Sequence, residues 1–550
     1  MQPECKTIDR IPYAGIPHAS LLFLDFLDHF DRVERFYAAP AIQPPGAGDY
    51  DPARRARMAD ILERQNRGWG EISPAVEKNL SRFRAGASAV VTGQQVSLFG
   101  GPLYALLKSL TAIKLAREWS EKFGPHSDFV PIFWLASEDH DLAEVNHGNL
   151  PSPSGELTRV ATTSAGGPDA PMSAVVLNDE ITGAVESATA LLGDCEISGH
   201  LRAAYRPGET MGSAFAKLWT LIFSRHGLLL LDPSDPELHQ VASPIYADAI
   251  RRAAELNEGL LARSRELESL NYHPQVKVTA SSTTLFQMQN GSRLPVRRVG
   301  EDFVVGHQRL AAAVMEELAT AHPEEFSGSV LLRPVIQDFL LPTAGYVGGP
   351  AEVAYFAQVS VNHEKLLGRR TPVLPRISAT LLEPKIAKRL QRYGLGVPDI
   401  FPGVEHTRDL IASRSLPANI NTLFDQAIAG MERSLAEIQT ALKNLDSTLV
   451  QSGDRAQGRI RYQLDRLRRR AARGHLRLQE QGERHAEEIS RAVYPHKNLQ
   501  ERAILGIYFL ARHGTQLLDR MLNDLQSPRL PGAANDGDMQ GGAGHQVLYL

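Results

Sequence analysis

The sequence predicts an α/β protein: a core built on a parallel sheet, followed by an α-helical coiled coil. Short, continuous apolar runs alternate with amphipathic segments through the first two thirds of the 550 residues. This alternation is typical of a parallel sheet with helices on both faces, which is a Rossmann-like layout. Beyond about residue 420, apolar residues recur at alternating spacings of four and three, which indicates a coiled coil.

The composition is that of an ordinary globular protein and excludes several classes of protein. The chain is 43% hydrophobic and 22% charged, with a formal net charge of −4, so no global charge attracts nucleic acid or an anionic membrane. Cys5 and Cys195 are the two cysteines, which excludes a disulfide scaffold and fits a reducing cytoplasm. There is no secretory signal and no apolar stretch of about 20 residues, so we expect no membrane span and a cytoplasmic location.

The core elements follow one another along the chain. Amphipathic spacing predicts helices at residues 21–37, 54–69, 102–119 and 210–225. Continuous apolar runs predict buried strands at residues 89–92, 130–136, 228–231, 330–335 and 373–377. A Pro/Gly-rich stretch at residues 41–51 separates the first two helices.

Two segments interrupt the alternation and are interpreted as insertions in the core, at residues 149–177 and about 265–300. The first contains strand-like pieces at residues 158–163 and 173–177. The second predicts a hairpin over residues 283–299, because Asn290-Gly291 between two alternating runs favours a tight turn.

The C-terminal region is predicted to be a separate domain, with the core over residues 1–378 and the helical domain over 379–550. One apolar heptad seam comprises Met431, Leu435, Ile438, Leu442, Leu445 and Leu449. A second comprises Ile460, Leu464, Leu467 and Ala471, after a break holding Gly453 and Gly458. Two long helices in a coiled coil are the simplest interpretation.

The last fifty residues change character twice. Residues 502–525 have the spacing of an amphipathic helix. Residues 527–544 are rich in Gly, Asp and Asn and predict a mobile segment, and residues 545–550 are apolar again and predict a strand or hook that docks back.

Two Gly-Gly-Pro turns each precede a predicted helix, at Gly100-Gly101-Pro102 and Gly348-Gly349-Pro350. Proline suits the first helical position, and helix N-termini attract phosphates and carboxylates. Each turn alone is equally consistent with a plain helix start, but the pair favours a pocket for anionic substrates. Gly93, Gln94 and Gln95 end the first strand, where glycine permits close approach and the two amides offer polar contacts.

An acidic cluster with one histidine follows the strand at residues 130–136: Glu138, Asp139, His140 and Asp141. Ligands bind at the carboxyl ends of strands in open α/β sheets. Three carboxylates around a histidine suit a divalent metal, proton transfer from an amine, or a cationic ammonium. The alternative is a helix N-cap with acidic residues near the positive end of the dipole.

A third group of polar residues surrounds the fourth apolar run: Arg333, Gln337, Asp338, Tyr346 and Glu352. Arg333 within an apolar strand requires a carboxylate partner, which is either internal or part of a ligand. The basic run at residues 466–473 alternates with heptad positions and is interpreted as a solvated coiled-coil face, so we expect no nucleic acid partner.

Several long motifs carry a family resemblance. They read TGQQVSLFGGPLYALLKSLTAIKLA, FVPIFWLASEDHDLAEVNH, YHPQV, LLRPVIQDFLLPTAGYVGGPAEVAYFAQ, PRISATLLEPK and KNLQER. On these motifs the chain resembles the BshC family, the cysteine-adding enzymes of bacillithiol synthesis. The resemblance implies a Rossmann-like core with inserted pieces and a homodimer held by a C-terminal coiled coil. It also implies a ligase that joins L-cysteine to glucosaminyl-malate by an amide bond.

The core is similar to the class I aminoacyl-tRNA synthetase fold as well, although intact HIGH-type and KMSKS-type motifs are absent. The segment from Ser378 to Lys385 lies where the second motif would be. The candidate nucleotide contacts are these two residues together with Tyr494 and Lys497. The latter two lie where the helical domain is expected to meet the core. The metal ligands are left open, with Mg²⁺ as a candidate ion.

The resemblance and the residues lead to one hypothesis. A carboxylate needs activation before it forms an amide, most simply by ATP. Glu138, Asp139, His140 and Asp141 would surround the attacking amine, while the glutamines, Arg333 and the Gly-Gly turns would hold anionic and polar substrate groups. A nucleotidyl- or glycosyl-transferase on the same fold and a non-enzymatic nucleotide-binding scaffold are the alternatives.

Overall fold

The computed structural model describes residues 8–39, 42, 50–124, 127–163, 167, 169–446, 449–478, 480–531 and 544–550. The chain divides into two compact units. The first unit comprises Met1–Thr380 and Glu501–Leu548, and the second comprises Leu381–Gln500 and Tyr549–Leu550. The prediction assigned all of 379–550 to the helical domain, whereas the structure groups residues 501–548 with the core. Cys5 and most of the predicted segments at 41–51 and 527–544 lie outside the described residues.

The strands are β1 (Ile8–Pro12), β2 (Ser88–Gln95), β3 (Phe129–Ala136), β4 (His147–Pro151), β5 (Leu157–Ala161), β6 (Leu229–Leu231), β7 (Ser282–Gln289), β8 (Ser292–Val299), β9 (Asp302–Val305), β10 (Gln308–Ala311), β11 (Phe326–Gly328), β12 (Thr343–Gly348), β13 (Val373–Pro375), β14 (Ala379–Leu382) and β15 (Gly544–Tyr549).

The helices are α1 (Leu21–Asp28), α2 (Pro52–Trp69), α3 (Pro74–Ala85), α4 (Leu103–Phe123), α5 (Leu142–Val145), α6 (Glu180–Leu192), α7 (Glu196–Ala204), α8 (Met211–Phe223), α9 (Pro236–Arg251), α10 (Ala253–Ser269), α11 (Ala312–Ala321), α12 (Arg333–Leu340), α13 (Pro350–Leu367), α14 (Pro384–Tyr393), α15 (Val404–Ser415), α16 (Ala418–Leu445), α17 (Val450–Leu478), α18 (Glu480–Val493), α19 (Gln500–Ala503), α20 (Gly506–His513) and α21 (Leu517–Asp524).

A five-stranded parallel sheet forms the centre of the first unit, in the order β13-β12-β2-β3-β6. Its strands are almost wholly buried, which agrees with their continuous apolar sequences. The predicted parallel α/β core is therefore confirmed. So are the strands predicted at residues 89–92, 130–136, 228–231 and 373–377, within a few residues at their ends.

The strand predicted at residues 330–335 is wrong. Residues 330–332 form a turn and residues 333–335 begin α12, and the sheet strand is β12, which follows it. A short apolar run does not distinguish a buried helix from a buried strand, and Pro334 has no N–H for a central ladder. The glycines of β12 interrupt its apolar run, so the sequence pattern does not identify this strand. At Gly345 a Cβ would lie 2.9 Å from the indole of Trp119, so glycine is needed for α4 to pack there.

The helices predicted at residues 54–69, 102–119 and 210–225 are confirmed as α2, α4 and α8. The helix predicted at 21–37 ends at Asp28, and short 3₁₀ turns follow it. α4 lies against β2 and β3, where Trp119 packs on Phe129 with ring centroids 5.6 Å apart.

The insertions form small antiparallel sheets. β4 pairs with β5, but the strand predicted at 173–177 is reduced to one isolated bridge between Val176 and Thr210. The hairpin predicted over 283–299 is confirmed as β7 and β8, in a sheet ordered β10-β9-β8-β7-β11. Asn290 and Gly291 have φ of 51° and 80°, the left-handed values that this turn requires.

The second unit is helical, and α16 and α17 are its longest elements. Gln439 bonds to Gln457, Glu432 to Arg461 and Asn421 to Arg468, a pattern that makes the two helices antiparallel. The prediction of two long helices is confirmed, but the break between them lies between Leu445 and Val450, and Gly453 and Gly458 lie inside α17. The predicted C-terminal helical domain itself is confirmed.

The end of the chain returns to the first unit. The single helix predicted at 502–525 is wrong, because extended backbone at Leu505 separates α19 from α20 and α21 follows. The predicted strand at 545–550 is confirmed as β15, which pairs antiparallel with β1. Among the described residues, no helix is long and apolar enough to cross a membrane.

Candidate active site

One cavity of about 930 Å³ opens at the carboxyl ends of β2, β3, β12 and β13. The hairpin β7–β8, the start of α10 and the N-terminus of α13 complete its walls. All its lining residues belong to the first unit. The sheet therefore brings together residues that lie more than two hundred positions apart in sequence, at the edge where ligands bind in parallel sheets.

Three members of the acidic cluster line this cavity: Glu138, Asp139 and His140. Asp141 does not. Its carboxylate caps the short helix α5 by accepting the Glu144 N–H at 3.2 Å. The N-cap alternative is therefore realised at Asp141, while the three residues before it lie at the cavity.

Glu138 is the most buried carboxylate of the cluster, and burial raises the pKa of its carboxyl group. His239 Nε2 lies 3.4 Å from the carboxylate, and the other ring nitrogen lies 3.3 Å from the hydroxyl oxygen of Tyr246. A buried carboxyl group with a raised pKa suits transfer of a proton to or from a substrate.

The two glutamines at the end of β2 bind neighbouring side chains. Gln95 Nε2 donates to Asp139 Oδ2 at 2.7 Å and to Glu144 Oε2 at 3.0 Å. Gln94 Oε1 accepts from Lys108 Nζ at 3.1 Å. Gly93 also lines the cavity, and a Cβ there would lie 2.8 Å from the carbonyl oxygen of Trp134. Only glycine fits that close strand contact.

The two Gly-Gly-Pro turns differ in their surroundings. Gly349 caps α13 at the cavity, and its N–H donates to Glu352 Oε2 at 2.7 Å, so this helix end already holds a carboxylate. Gly348 is not among the lining residues.

The first turn lies away from the cavity, and neither Gly100 nor Gly101 lines it. A Cβ at Gly100 would collide with the ring of Trp219. Pro102 is the N-cap of α4 and not its first residue, and the Leu103 N–H donates to the Ile504 carbonyl at 2.9 Å. This turn is therefore shaped by packing and lies outside the cavity.

Arg333 lies at the cavity on α12, where Nη1 donates to Gln337 Oε1 at 3.0 Å and Nη2 to the Tyr346 hydroxyl at 3.3 Å. Its guanidinium lies 5.3 Å from the ring centroid of Tyr346 and 5.9 Å from that of Trp134. No carboxylate of the described residues comes within 4.0 Å of it. The internal ion pair is therefore absent from the described part of the chain, where Gln337 and Tyr346 are the hydrogen-bond partners of Arg333.

Gln337 and Asp338 lie behind the cavity wall. Gln337 positions Arg333 and also donates to Asp338 Oδ1 at 2.9 Å. Asp338 Oδ2 pairs with His363 at 2.7 Å. Tyr346 donates to Glu352 at 2.6 Å, so Arg333, Tyr346 and Glu352 form one chain of contacts at the cavity.

Sequence reasoning missed three further buried cations at the cavity: Lys108, Arg293 and Arg376. Lys108 is 2% exposed, forms an ion pair with Glu352 and donates to the Gly93 carbonyl at 2.7 Å. Each of these cations lies in an otherwise apolar or alternating run, and a charge in such a run is the signal that could have identified them.

The buried cation Arg376 is neutralised inside the protein. Its two terminal nitrogens donate to the Glu501 carboxylate at 2.6 and 3.0 Å. Glu501 also accepts from Ser378 Oγ and from the Ala379 N–H. Burial would raise the pKa of Glu501, but the charge and hydrogen bonds of Arg376 lower it to about 2.

Comparison with known proteins agrees with this architecture. Residues 8–377 match the family described as "Bacillithiol biosynthesis BshC, N-terminal Rossmann-like domain", and residues 379–530 match its "C-terminal coiled-coil domain". The chain belongs to the BshC family.

Relatives named "Putative cysteine ligase BshC" align over nearly the whole chain. The protein of Koribacter versatilis is 44% identical over 95% of this chain and 98% of its own length. The protein of Solibacter usitatus is 36% identical over 93% and 96%, and that of Salinibacter ruber 30% over 96% and 98%.

The candidate nucleotide contacts of this BshC-family chain do not line the cavity. Ser378 is buried in the first unit, where its hydroxyl contacts Glu501 and His545. Lys385, Tyr494 and Lys497 belong to the second unit. Lys385 pairs with Glu488 at 3.0 Å, and Tyr494 packs on Phe401.

The described acidic residues do not form a metal site by themselves. Among the residues that the structure describes, no group of three or more His, Cys, Asp and Glu side chains is arranged to hold a metal ion. In enzymes that act on nucleotide phosphates, Mg²⁺ is usually held by the substrate phosphates and by only one or two protein carboxylates.

Proposed function

We propose that this protein joins L-cysteine to glucosaminyl-malate by an amide bond, giving bacillithiol, with ATP as the activating co-substrate. One observation supports this most directly. Arg333 lies at the cavity, and it has no carboxylate partner within 4.0 Å among the described residues. The name of the relatives, cysteine ligase, agrees with the proposed class of reaction.

A carboxylate of the malate group complements the guanidinium of Arg333. Taking a cation out of water costs free energy unless an anion or hydrogen bonds compensate. A guanidinium also binds a carboxylate through paired N–H bonds, which fixes its orientation. We therefore infer that a dicarboxylate substrate supplies the charge that Arg333 lacks, close to Tyr346 and Glu352.

The carboxylates after β3 suit the attacking amine. The glucosamine nitrogen must lose a proton before or during attack, and Glu138 and Asp139 both line the cavity. Burial raises the pKa of Glu138, which suits its carboxylate to accept that proton, since an acceptor is most effective when its pKa approaches the working pH.

Activation of the cysteine carboxylate requires a co-substrate, because an unactivated carboxylate does not form an amide in water. ATP with Mg²⁺ on its phosphates fits this need. The exposed Lys277, Arg297 and Arg502 add positive charge to the same cavity and are the residues that would hold the phosphates there. Nucleotide contacts at Ser378, Lys385, Tyr494 and Lys497 stay a prediction. ATP and reduced thiols are both available in the cytoplasm, where we place the reaction.

The test is thiol analysis by mass spectrometry after incubating the protein with glucosaminyl-malate, L-cysteine, ATP and Mg²⁺. We expect formation of bacillithiol that depends on ATP. Release of AMP would indicate an acyl-adenylate intermediate, and release of ADP would indicate an acyl-phosphate. Arg333→Met should lower kcat/KM for glucosaminyl-malate about ten- to hundredfold, because the substrate loses a charged hydrogen-bonding partner. Arg333→Lys should retain part of the activity.

Arg309→Met is the matched control, since Arg309 lies on β10 and is 61% exposed. It should leave the rate unchanged. Full activity of Arg333→Met would contradict the dicarboxylate assignment, and absence of bacillithiol with the wild-type protein would contradict the proposed function. Transfer of a nucleotidyl or glycosyl group in the same assay would favour the alternative enzymes.

We further propose a homodimer through the helical unit. α16 and α17 leave much of their heptad seam exposed, including Ile438, Leu445, Ile460 and Leu467. A second copy carries the same seam and is a self-complementary partner for it.

A further inference from the structure

A guanidinium contacts the imidazole of the acidic cluster. Arg293 Nη1 lies 3.1 Å from His140 Nδ1. An arginine side chain has N–H donors and no acceptor, so Nδ1 must hold its lone pair toward Arg293. Asp139 Oδ1 lies farther from Nδ1, at 3.8 Å, and accepts the His140 backbone N–H instead.

Arg293 is held firmly in this position. Nε donates to Ser327 Oγ at 2.9 Å, and Nη2 donates to the Gly328 carbonyl at 2.8 Å. Its guanidinium stacks 3.9 Å from the ring centroid of Phe286, and the residue is 7% exposed. The donor that faces His140 is therefore fixed by β8, β11 and the ring of β7.

The other nitrogen of the imidazole is available to a ligand. His140 lines the cavity with 29% of its side chain exposed, and Nε2 has no hydrogen-bond partner among the described residues. With the lone pair on Nδ1, the neutral ring carries its proton on Nε2. That nitrogen is then a donor and cannot accept a proton from the amine.

We propose that Arg293 is a positioning residue that fixes His140 as an Nε2–H donor to the acyl oxygen of the activated substrate. This inference rests on the proposed ligase function and changes the role expected of His140 from a group beside the attacking amine to a hydrogen-bond donor. The guanidinium on Nδ1 withdraws electron density from the ring, which strengthens the Nε2–H as a donor. A neutral imidazole in this role stabilises negative charge that develops on a carbonyl oxygen.

The step balances as an acyl transfer. The amine nitrogen of glucosaminyl-malate forms a bond to the activated carbonyl carbon of cysteine, and the C=O electron pair moves to the oxygen facing His140. Glu138 takes the proton from the amine. The electron pair then returns, and the bond to the phosphate or nucleotide leaving group breaks, so that the leaving group departs with its electrons.

Two substitutions separate a donor from a proton acceptor at His140. His140→Gln supplies an N–H near the position of Nε2 but no base, whereas His140→Glu supplies a base but no donor at neutral pH. We expect His140→Gln to retain at least tenfold more bacillithiol-forming activity than His140→Glu or His140→Ala. Activity of His140→Glu equal to or above that of His140→Gln would overturn the donor role.

Nitrogen-15 NMR of the full chain labelled at histidine reports the tautomer without any activity assay. The resonance of His140 is identified as the one that is missing from the spectrum of His140→Gln. We expect His140 as the Nε2–H tautomer in the wild type and in Arg293→Lys, and loss of that single form in Arg293→Met. An Nδ1–H tautomer in the wild type would overturn the proposal. If the wild type forms no bacillithiol, the ligase function fails, and the NMR result still decides whether Arg293 sets the tautomer.

Discussion

Glu501→Gln tests how the cavity holds Arg376. The substitution keeps the size of the side chain and removes its charge, so Arg376 becomes a buried cation without its bidentate partner. Arg376 is 4% exposed and Glu501 1%, so water cannot replace the lost carboxylate. Breaking a buried pair at one side is destabilising because the remaining charge stays uncompensated.

The pKa of Glu501 gives the size of the effect. Its folded value of about 2, against an ordinary value of 4.5, corresponds to about 3 kcal/mol of stability from ionised Glu501. Because the folded pKa is lowered, this contribution is complete above pH 4.5 and is lost as the pH falls toward 2. At pH 3.5 roughly 1 kcal/mol of it should already be lost.

Tryptophan fluorescence in urea is the appropriate assay. The four tryptophans, Trp69, Trp119, Trp134 and Trp219, all lie in the first unit, so the signal follows the unfolding of that unit alone. We expect Glu501→Gln to lower the free energy of unfolding by about 3 kcal/mol at pH 7, with a smaller difference from the wild type at pH 3.5.

The exposed Glu258 provides the control. Glu258→Gln should match the wild type at both pH values. A loss in Glu501→Gln that is equally large at pH 7 and pH 3.5 would refute the reasoning, because it would show that the carboxylate charge is not what stabilises the pair.

Two further predictions concern the cavity and the helical unit. Lys108→Met should destabilise the first unit by about 3–5 kcal/mol in the same fluorescence assay, since Glu352 loses its cation, and the double variant with Glu352→Gln should recover most of that loss. An unchanged unfolding free energy would contradict a supporting role for the Lys108–Glu352 pair. The pair of substitutions Ile438→Asp and Leu467→Asp should convert a dimer to a monomer in sedimentation velocity, while Arg466→Ala, outside the seam, should not. A wild type that sediments as a monomer would contradict the homodimer.

Much of the first unit could be predicted because apolar runs and their endings are local properties. The runs at β2 and β3 identify buried strands, and the polar residues directly after them must lie at the carboxyl edge of the sheet. Gln95, Glu138 and Asp139 therefore reach the cavity as expected. The hairpin at Asn290-Gly291 is equally local, since its turn depends on two residues that tolerate positive φ.

The errors occur where a local pattern is ambiguous or where packing overrides it. The run at 330–335 satisfies both a buried strand and a buried helix, and the sheet instead uses the glycine-containing β12. The Gly-Gly pair at Gly100 resembles an anion-binding turn, but the neighbouring Trp219 ring accounts for the glycine.

The sequence alone determined the fold class, the helical C-terminal unit and which strand ends carry polar side chains, because each depends on residues close together in the chain. Only the tertiary structure decided which charges are paired. Arg376 meets Glu501 across 125 positions, and Arg293 meets His140 across 153. Whether a cation at the cavity is neutralised inside the protein or left for a ligand depends on such distant contacts, which no local spacing records.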